Sequence, residues 1–297
     1  MATSLRVKAN GLEHHVVEWS PPVESSDPGT ALLIHGFMDA GNSWELVAPR
    51  LAAGGLRVLA PDMRGFAQGP RAPEGSYYHF PDYVADVADL VRQLVPGSAA
   101  ESPLFVVGHS MGGTVATLFT GAFPERITKL ALLEGLGPPD NPPEVAPDRM
   151  RRWLEQLQST PRELRSIGTV DDALRRLSGN HSRIDPAILS GRIRHLVREL
   201  PGGNEVAWAF DPLHRTTSPM PFFAKVFKSF ASRVTCPVLA VGGGPDGFHP
   251  EDEDERIAAF PHIERAELAT AGHMMHWTEP DALAKLLLEF WSRPANS

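Results

Sequence analysis

A serine flanked by glycines, Gly108-His109-Ser110-Met111-Gly112, is the stretch of this chain best suited to chemistry. It follows the apolar run Pro103-Leu104-Phe105-Val106-Val107 and precedes Gly113-Thr114-Val115-Ala116-Thr117-Leu118-Phe119, a pattern of strand, sharp turn and helix. A serine at such a turn holds its hydroxyl above the edge of a sheet, and the next backbone N–H lies at a helix N-terminus, where negative charge is favoured. Glycines two residues before and after it keep a tight backbone free of Cβ clashes. An alcohol is a weak nucleophile at neutral pH. It needs a base within hydrogen-bond reach, an acid that orients the base, and N–H donors aimed at a developing oxyanion.

The sequence offers candidates for each part. For the base, Ala271-Gly272-His273-Met274-Met275-His276-Trp277 places His273 at the head of a tight turn, while His276, with Trp277 and Pro280 beside it, faces the start of the last helix. Two acids compete. Asp246 sits in the loop Gly243-Gly244-Pro245-Asp246-Gly247-Phe248-His249-Pro250, and Glu134 ends the strand-like run 127–133. Both fall at the C-terminal ends of strands, where open α/β sheets build their sites. Asp246 is the first choice and Glu134 the alternative. The loop His35-Gly36-Phe37-Met38 brings the N–H of Phe37, and the residue after the serine brings the N–H of Met111, as a pair of oxyanion donors. His35, Gly36 and His109 are expected to border the same pocket. The other histidines are scattered, and His273 with His276 lacks a third ligand at a familiar spacing, so neither metal nor organic cofactor is expected.

Positioning these residues requires a sheet. Strand-like runs at 14–19 (an edge strand), 31–34, 56–60, 103–107, 127–133, 237–241 and 266–268 alternate with helical patterns at 43–53, 80–95 and 280–291. That alternation indicates an α/β fold with a mostly parallel central sheet and helices on both faces. From 146 to 231 the pattern is helical with no strand, after a Pro/Gly-rich lead. Thr160-Pro161 and Asp185-Pro186 resemble helix starts, and Thr169 to Asp172 resembles a capping box. The expected organisation is a core of 1–137 and 232–297 interrupted by a helical insertion at 138–231 that roofs the site. Trp153, Trp208, Phe210, Phe222 and Phe223 of the insertion are expected to face the pocket.

These motifs together resemble the α/β-hydrolase fold serine hydrolases that carry a helical cap. The resemblance rests on His35-Gly36-Phe37 with Ser43-Trp44, Ala60-Pro61-Asp62-Met63-Arg64-Gly65, Gly108 to Gly113, Gly243-x-x-Asp246 with Pro250, and Gly272-His273 with Pro280, and it covers nearly the whole core. It implies Ser110 as nucleophile, His273 as base, Asp246 as acid, and Phe37 and Met111 as oxyanion donors. Some relatives place the acid after the sixth strand, where Glu134 stands. Dehalogenases and epoxide hydrolases of this fold carry an aspartate at the turn, and this chain has serine, which argues against an alkyl-enzyme. The implied activity is hydrolysis of a small-molecule carboxylic ester through an acyl-enzyme. The same triad also serves lactonases, amidases, carbon–carbon bond hydrolases and perhydrolases, and such scaffolds can act as ligand-binding receptors.

Composition narrows the partners. The chain has 297 residues, a net charge of −8, 42% hydrophobic and 22% charged residues, which suits a globular domain and disfavours nucleic acid or an anionic membrane as a partner. The N-terminal residues lack the apolar centre of a secretion signal, and no apolar run approaches a membrane span, so a cytoplasmic monomer or homodimer is expected. The single cysteine, Cys236, precedes a strand and reads as a packed thiol.

Overall fold

A computed structural model describes residues 2–22 and 29–294. The chain opens with a hairpin, β1 (Ala2–Ala9) and β2 (Leu12–Trp19), joined at Asn10-Gly11. Both turn residues have positive φ, 48° and 74°, the geometry whose twist suits flanking strands. There follow β3 (Thr30–Ile34), α1 (Ala48–Ala53), β4 (Arg57–Pro61), α2 (Phe80–Leu94), β5 (Leu104–His109), α3 (Met111–Ala122) and β6 (Lys129–Leu133). The next segment carries α4 (Ala146–Ser159), α5 (Val170–Asn180), α6 (Pro186–Leu196), a second hairpin of β7 (Val197–Glu199) and β8 (Val206–Trp208), and α7 (Ala224–Ala231). The chain ends with β9 (Val238–Gly242), α8 (Glu253–Ile257), β10 (Ile263–Glu267), α9 (Met275–Thr278) and α10 (Pro280–Ser292).

The main sheet has eight strands in the order β1-β2-β4-β3-β5-β6-β9-β10. The pairings β1–β2 and β2–β4 are antiparallel, and the rest are parallel. Strands β3 and β6 are buried along their whole length, as their apolar stretches at 31–34 and 130–133 require when both faces are covered. Alternation sorts their side chains into two layers. Leu32 and Ile34 pack with Val87, Leu90, Val115 and Phe119 on one face, and Ala31 and Leu33 pack with Trp44, Leu51, Leu283 and Leu287 on the other.

Several expectations need correction. The run 14–19 is not the edge strand, because β1 pairs outside it. The helix expected over 43–53 is a 3-10 turn (Gly41–Leu46) followed by α1, with Pro49 in the first turn of the second piece. Thr160-Pro161 starts no helix, since Thr160 closes α4. The stretch without expected strands contains the β7–β8 hairpin. Asp185 does cap α6, accepting from the N–H of Ala187 at 2.8 Å, and Thr169 and Asp172 form a reciprocal box on α5. Helix α7 packs against α3 in the layered core, with the Phe230 backbone against Gly121.

Candidate active site

Ser110 follows β5 and is the residue before α3, at φ 52° and ψ −118°. A non-glycine residue pays for this backbone, and the surroundings fix it. The Ser110 N–H donates to the Leu133 carbonyl at 3.0 Å, tying the turn to the end of β6. Gly36 lies against it, since a Cβ there would stand 3.2 Å from the Ser110 Cβ. The loop carrying Phe37 therefore adjoins the serine. Met111 begins α3, so its N–H has no acceptor within the helix.

Glu134, the residue after β6, also has a positive φ, 46°. Its carboxylate is nearly sealed from solvent and accepts three hydrogen bonds. Oε1 accepts from the Gly243 N–H at 2.7 Å, while Oε2 accepts from the Phe248 N–H at 2.7 Å and from His273 Nδ1 at 2.6 Å. Burial pushes this carboxyl up, but the hydrogen bonds from His273, Phe248 and Gly243 outweigh it and hold the group below its ordinary value. With Nδ1 donating to a carboxylate, the neutral ring keeps its lone pair on Nε2. His273 follows Gly272, whose φ of 63° turns the loop. Its carbonyl accepts from His109 Nε2 at 2.8 Å.

Asp246, the first choice for the acid, is elsewhere. It lies in the loop after β9, its side chain is 53% exposed, and it pairs with Arg183 of the segment between β6 and β9. The loop that carries it presents backbone N–H groups of Gly243 and Phe248 to Glu134 instead.

Ser110, His273, Glu134, Phe37 and Met111 all line one cavity of about 430 Å³. Trp153 lines it as expected, but Trp208, Phe210, Phe222 and Phe223 do not. Trp208 and Phe210 pack into apolar clusters, and Phe222 meets Phe80 edge to face and Phe227 at a tilt, with the Arg256 guanidinium over its ring. His35, Gly36 and His109 support the site from below and do not border the cavity. The His35 ring accepts from the Met63 N–H at 3.0 Å and donates to the Gly36 carbonyl at 2.7 Å. His109 is fully buried, and burial, together with neighbouring His276 and His273, pushes its ring well below the ordinary imidazole value. Tyr77, Tyr78 and Tyr83 form a further wall of the cavity that no motif marks, although the cluster Tyr77-Tyr78-His79-Phe80 stands out in a chain with three tyrosines.

Among the described residues, one group has a donor set suited to a transition metal. Atoms of Asp39, His109 and His276 lie within 4.8 Å of one another, all buried. Hydrogen bonding accounts for part of that closeness, since His276 Nε2 donates to Asp39 Oδ2 at 3.1 Å.

A family model described as "alpha/beta hydrolase fold" matches residues 31–280. A serine hydrolase-like protein of Danio rerio is 30% identical over 62% of this chain and 55% of its own length. A pyrethroid hydrolase of Sphingobium wenxiniae is 26% identical over 89% of this chain and 88% of its own. The structure of a hypothetical protein from Pseudomonas aeruginosa PAO1 superposes with a TM-score of 0.83 at 26% identity, covering 98% of this chain and 99% of that one. The chain spans between 33% and 65% of the length of curated relatives such as a serine hydrolase-like protein of Dictyostelium discoideum and a lipase of Mycobacterium tuberculosis. No helix among the described residues is long and apolar enough to cross a membrane. With the matched span running from the Phe37 loop through the serine turn and Glu134 to His273, the chain belongs to the alpha/beta hydrolase fold family.

Proposed function

We propose that this chain hydrolyses carboxylic esters through an acyl-enzyme, with Ser110 as nucleophile, His273 as base and Glu134 as acid. The observation that carries the proposal is the 2.6 Å hydrogen bond between Glu134 and His273 in the cavity that also exposes the strained Ser110. His273 Nε2 takes the hydroxyl proton as Ser110 Oγ bonds to the carbonyl carbon. The N–H groups of Phe37 and Met111 hold the resulting oxyanion. When the carbon–oxygen bond to the alcohol breaks, His273 returns the proton to the leaving oxygen. A water then repeats the sequence on the acyl-serine, and the acid departs. Glu134 stays ionised throughout, fixing the ring and balancing its positive form. The Gly243 and Phe248 N–H groups keep that carboxylate in place.

Glu134 takes the role that the family resemblance gave first to Asp246, because its carboxylate occupies His273 Nδ1. The segment between β6 and α7 acts as a cap, contributing Trp153, Leu213 and Thr216 to Pro219 to the cavity, while α7 belongs to the core. The names of these relatives, serine hydrolase-like protein, lipase and pyrethroid hydrolase, agree with a hydrolase.

The test is turnover of p-nitrophenyl butyrate by the wild type and by Ser110→Ala, with a fluorophosphonate label on both. A loss of at least about 10⁴-fold with the label abolished is expected. Undiminished turnover in the variant would refute the nucleophile. Labelling of the wild type without repeated turnover would mark a ligand-binding protein on this fold.

A further inference from the structure

We infer that the substrate is an uncharged ester bearing an aromatic group, recognised by the rings that wall the cavity; the inference rests on the ester hydrolase reading above. All three tyrosines of the chain line this one cavity. Tyr77, from the loop before α2, and Trp153, from α4, pack against each other edge to face in its wall, with centroids 4.9 Å apart. Phe37 and Phe248, 47% and 38% exposed, stand beside Ser110 and His273 with their rings open to solvent. Such rings offer faces and edges that pair favourably with another aromatic ring, beyond what area burial alone supplies.

The charge of the cavity excludes as much as its rings admit. Among the described residues, no lysine or arginine lines it. Its one carboxylate, Glu134, is held by His273 and two backbone N–H groups. A substrate carboxylate would give up its water for no counter-charge, and would sit near an existing anion. The size is informative too. A dry cavity of about 150 Å³ accepts benzene. By that measure the 430 Å³ here holds one or two rings together with the ester.

The experiment compares esters that differ in one property at a time. Ethyl 3-phenylpropanoate and ethyl 3-cyclohexylpropanoate share an alcohol and a chain, and differ in whether the six-membered ring is aromatic. Diethyl succinate and its monoethyl half-ester differ in one charge. Hydrolysis is followed by pH-stat. The phenyl ester is expected to exceed the cyclohexyl ester in kcat/KM by about 10-fold, the gain from one or two aromatic contacts. The half-ester is expected to fall at least about 100-fold below the diester. Trp153→Leu should shrink the phenyl-to-cyclohexyl ratio several-fold. Equal rates for the two rings, or a half-ester cleaved as readily as its diester, would overturn the inference while leaving the hydrolase reading intact. Tryptophan fluorescence of Ser110→Ala titrated with the same four esters reads recognition without turnover. Selective binding of the phenyl ester by a protein whose wild type cleaves none of them would uphold the inference and sink the hydrolase reading.

Discussion

Oε2 of Glu134 lies 2.6 Å from Nδ1 of His273, a contact between residues 139 apart in sequence. The carboxylate is sealed behind the loop after β9, while the imidazole remains one-third exposed on the cavity side. That asymmetry suits a pair in which one member holds an orientation and the other exchanges protons.

Exchanging the acids separates their roles. Glu134→Gln should lower kcat by about 10³- to 10⁴-fold, because the amide no longer fixes the tautomer that leaves Nε2 basic. Asp246→Asn should change kcat by less than about 2-fold, since an exposed ion pair contributes little. Steady-state kinetics on one ester checks both, and a larger loss from Asp246→Asn would reverse the assignment.

A second buried pair governs stability in acid. Burial alone would raise the Asp39 carboxyl, but the hydrogen bond and charge of His276, with lesser help from His35 and Ser43, hold it at about 2 against an ordinary 3.8. The folded protein thus releases this proton more readily than the unfolded chain. The resulting stabilisation is complete above pH 4 or so and drains away as pH falls towards about 2, the folded value. A shift of this size corresponds to roughly 2 kcal/mol. Urea unfolding of Asp39→Asn should show a deficit of that order at pH 7 that narrows near pH 2. A deficit independent of pH would contradict the account.

Cys236 should be inert in the native protein. The thiol is 7% exposed, and burial pushes it up to about 12. At pH 8 a disulfide reagent such as Ellman's should release one equivalent of thiolate only after denaturant is added. Prompt stoichiometric reaction in buffer would show a looser packing at the start of β9.

A methyl at Gly135 should be costly. Its Cβ would stand 2.6 Å from the Gly113 Cα, where the first turn of α3 meets the chain leaving β6. Gly135→Ala should lower stability by about 1–3 kcal/mol and reduce kcat, because relief requires moving α3 away from the residue after Glu134. Thermal melting together with kinetics reads both effects, and an unchanged melting temperature would show that the backbones separate freely.

The central sheet was legible because its strands are short, apolar and bounded by glycine or proline, and the serine turn because its glycines are local. Of the opening hairpin, the sequence shows β2 as a strand at 14–19 but not β1, although Asn10-Gly11 is a strong turn signal; β1 alternates as Leu5-Arg6-Val7-Lys8 and exposes one face. The β7–β8 hairpin leaves no mark in the sequence because three-residue strands carry no period. The choice between Asp246 and Glu134 could not be read from spacing, since both end strands. It depends on which carboxylate the β9 loop turns towards, and that loop directs backbone N–H groups, invisible in sequence, at Glu134. Of the five aromatic residues expected in the pocket from the insertion, Trp153, on α4, alone reaches it; Trp208, Phe210 and Phe222 sit on β8 and in loops whose packing against the apolar clusters has no periodic signal in the sequence.

Ser110 and Glu134 hang from β5 and β6, neighbouring strands locked in register through His109 and Leu133, and the Ser110 N–H bonds to that same Leu133. Their separation is therefore inherited from a strand pairing and is indifferent to whatever the helices overhead are doing. If the segment ahead of α7 roofs the cavity as proposed, mutation can remodel it, and with it the molecules admitted, while the anvil beneath keeps its shape. Diversification in this protein should accumulate above the sheet long before it touches the two strand ends.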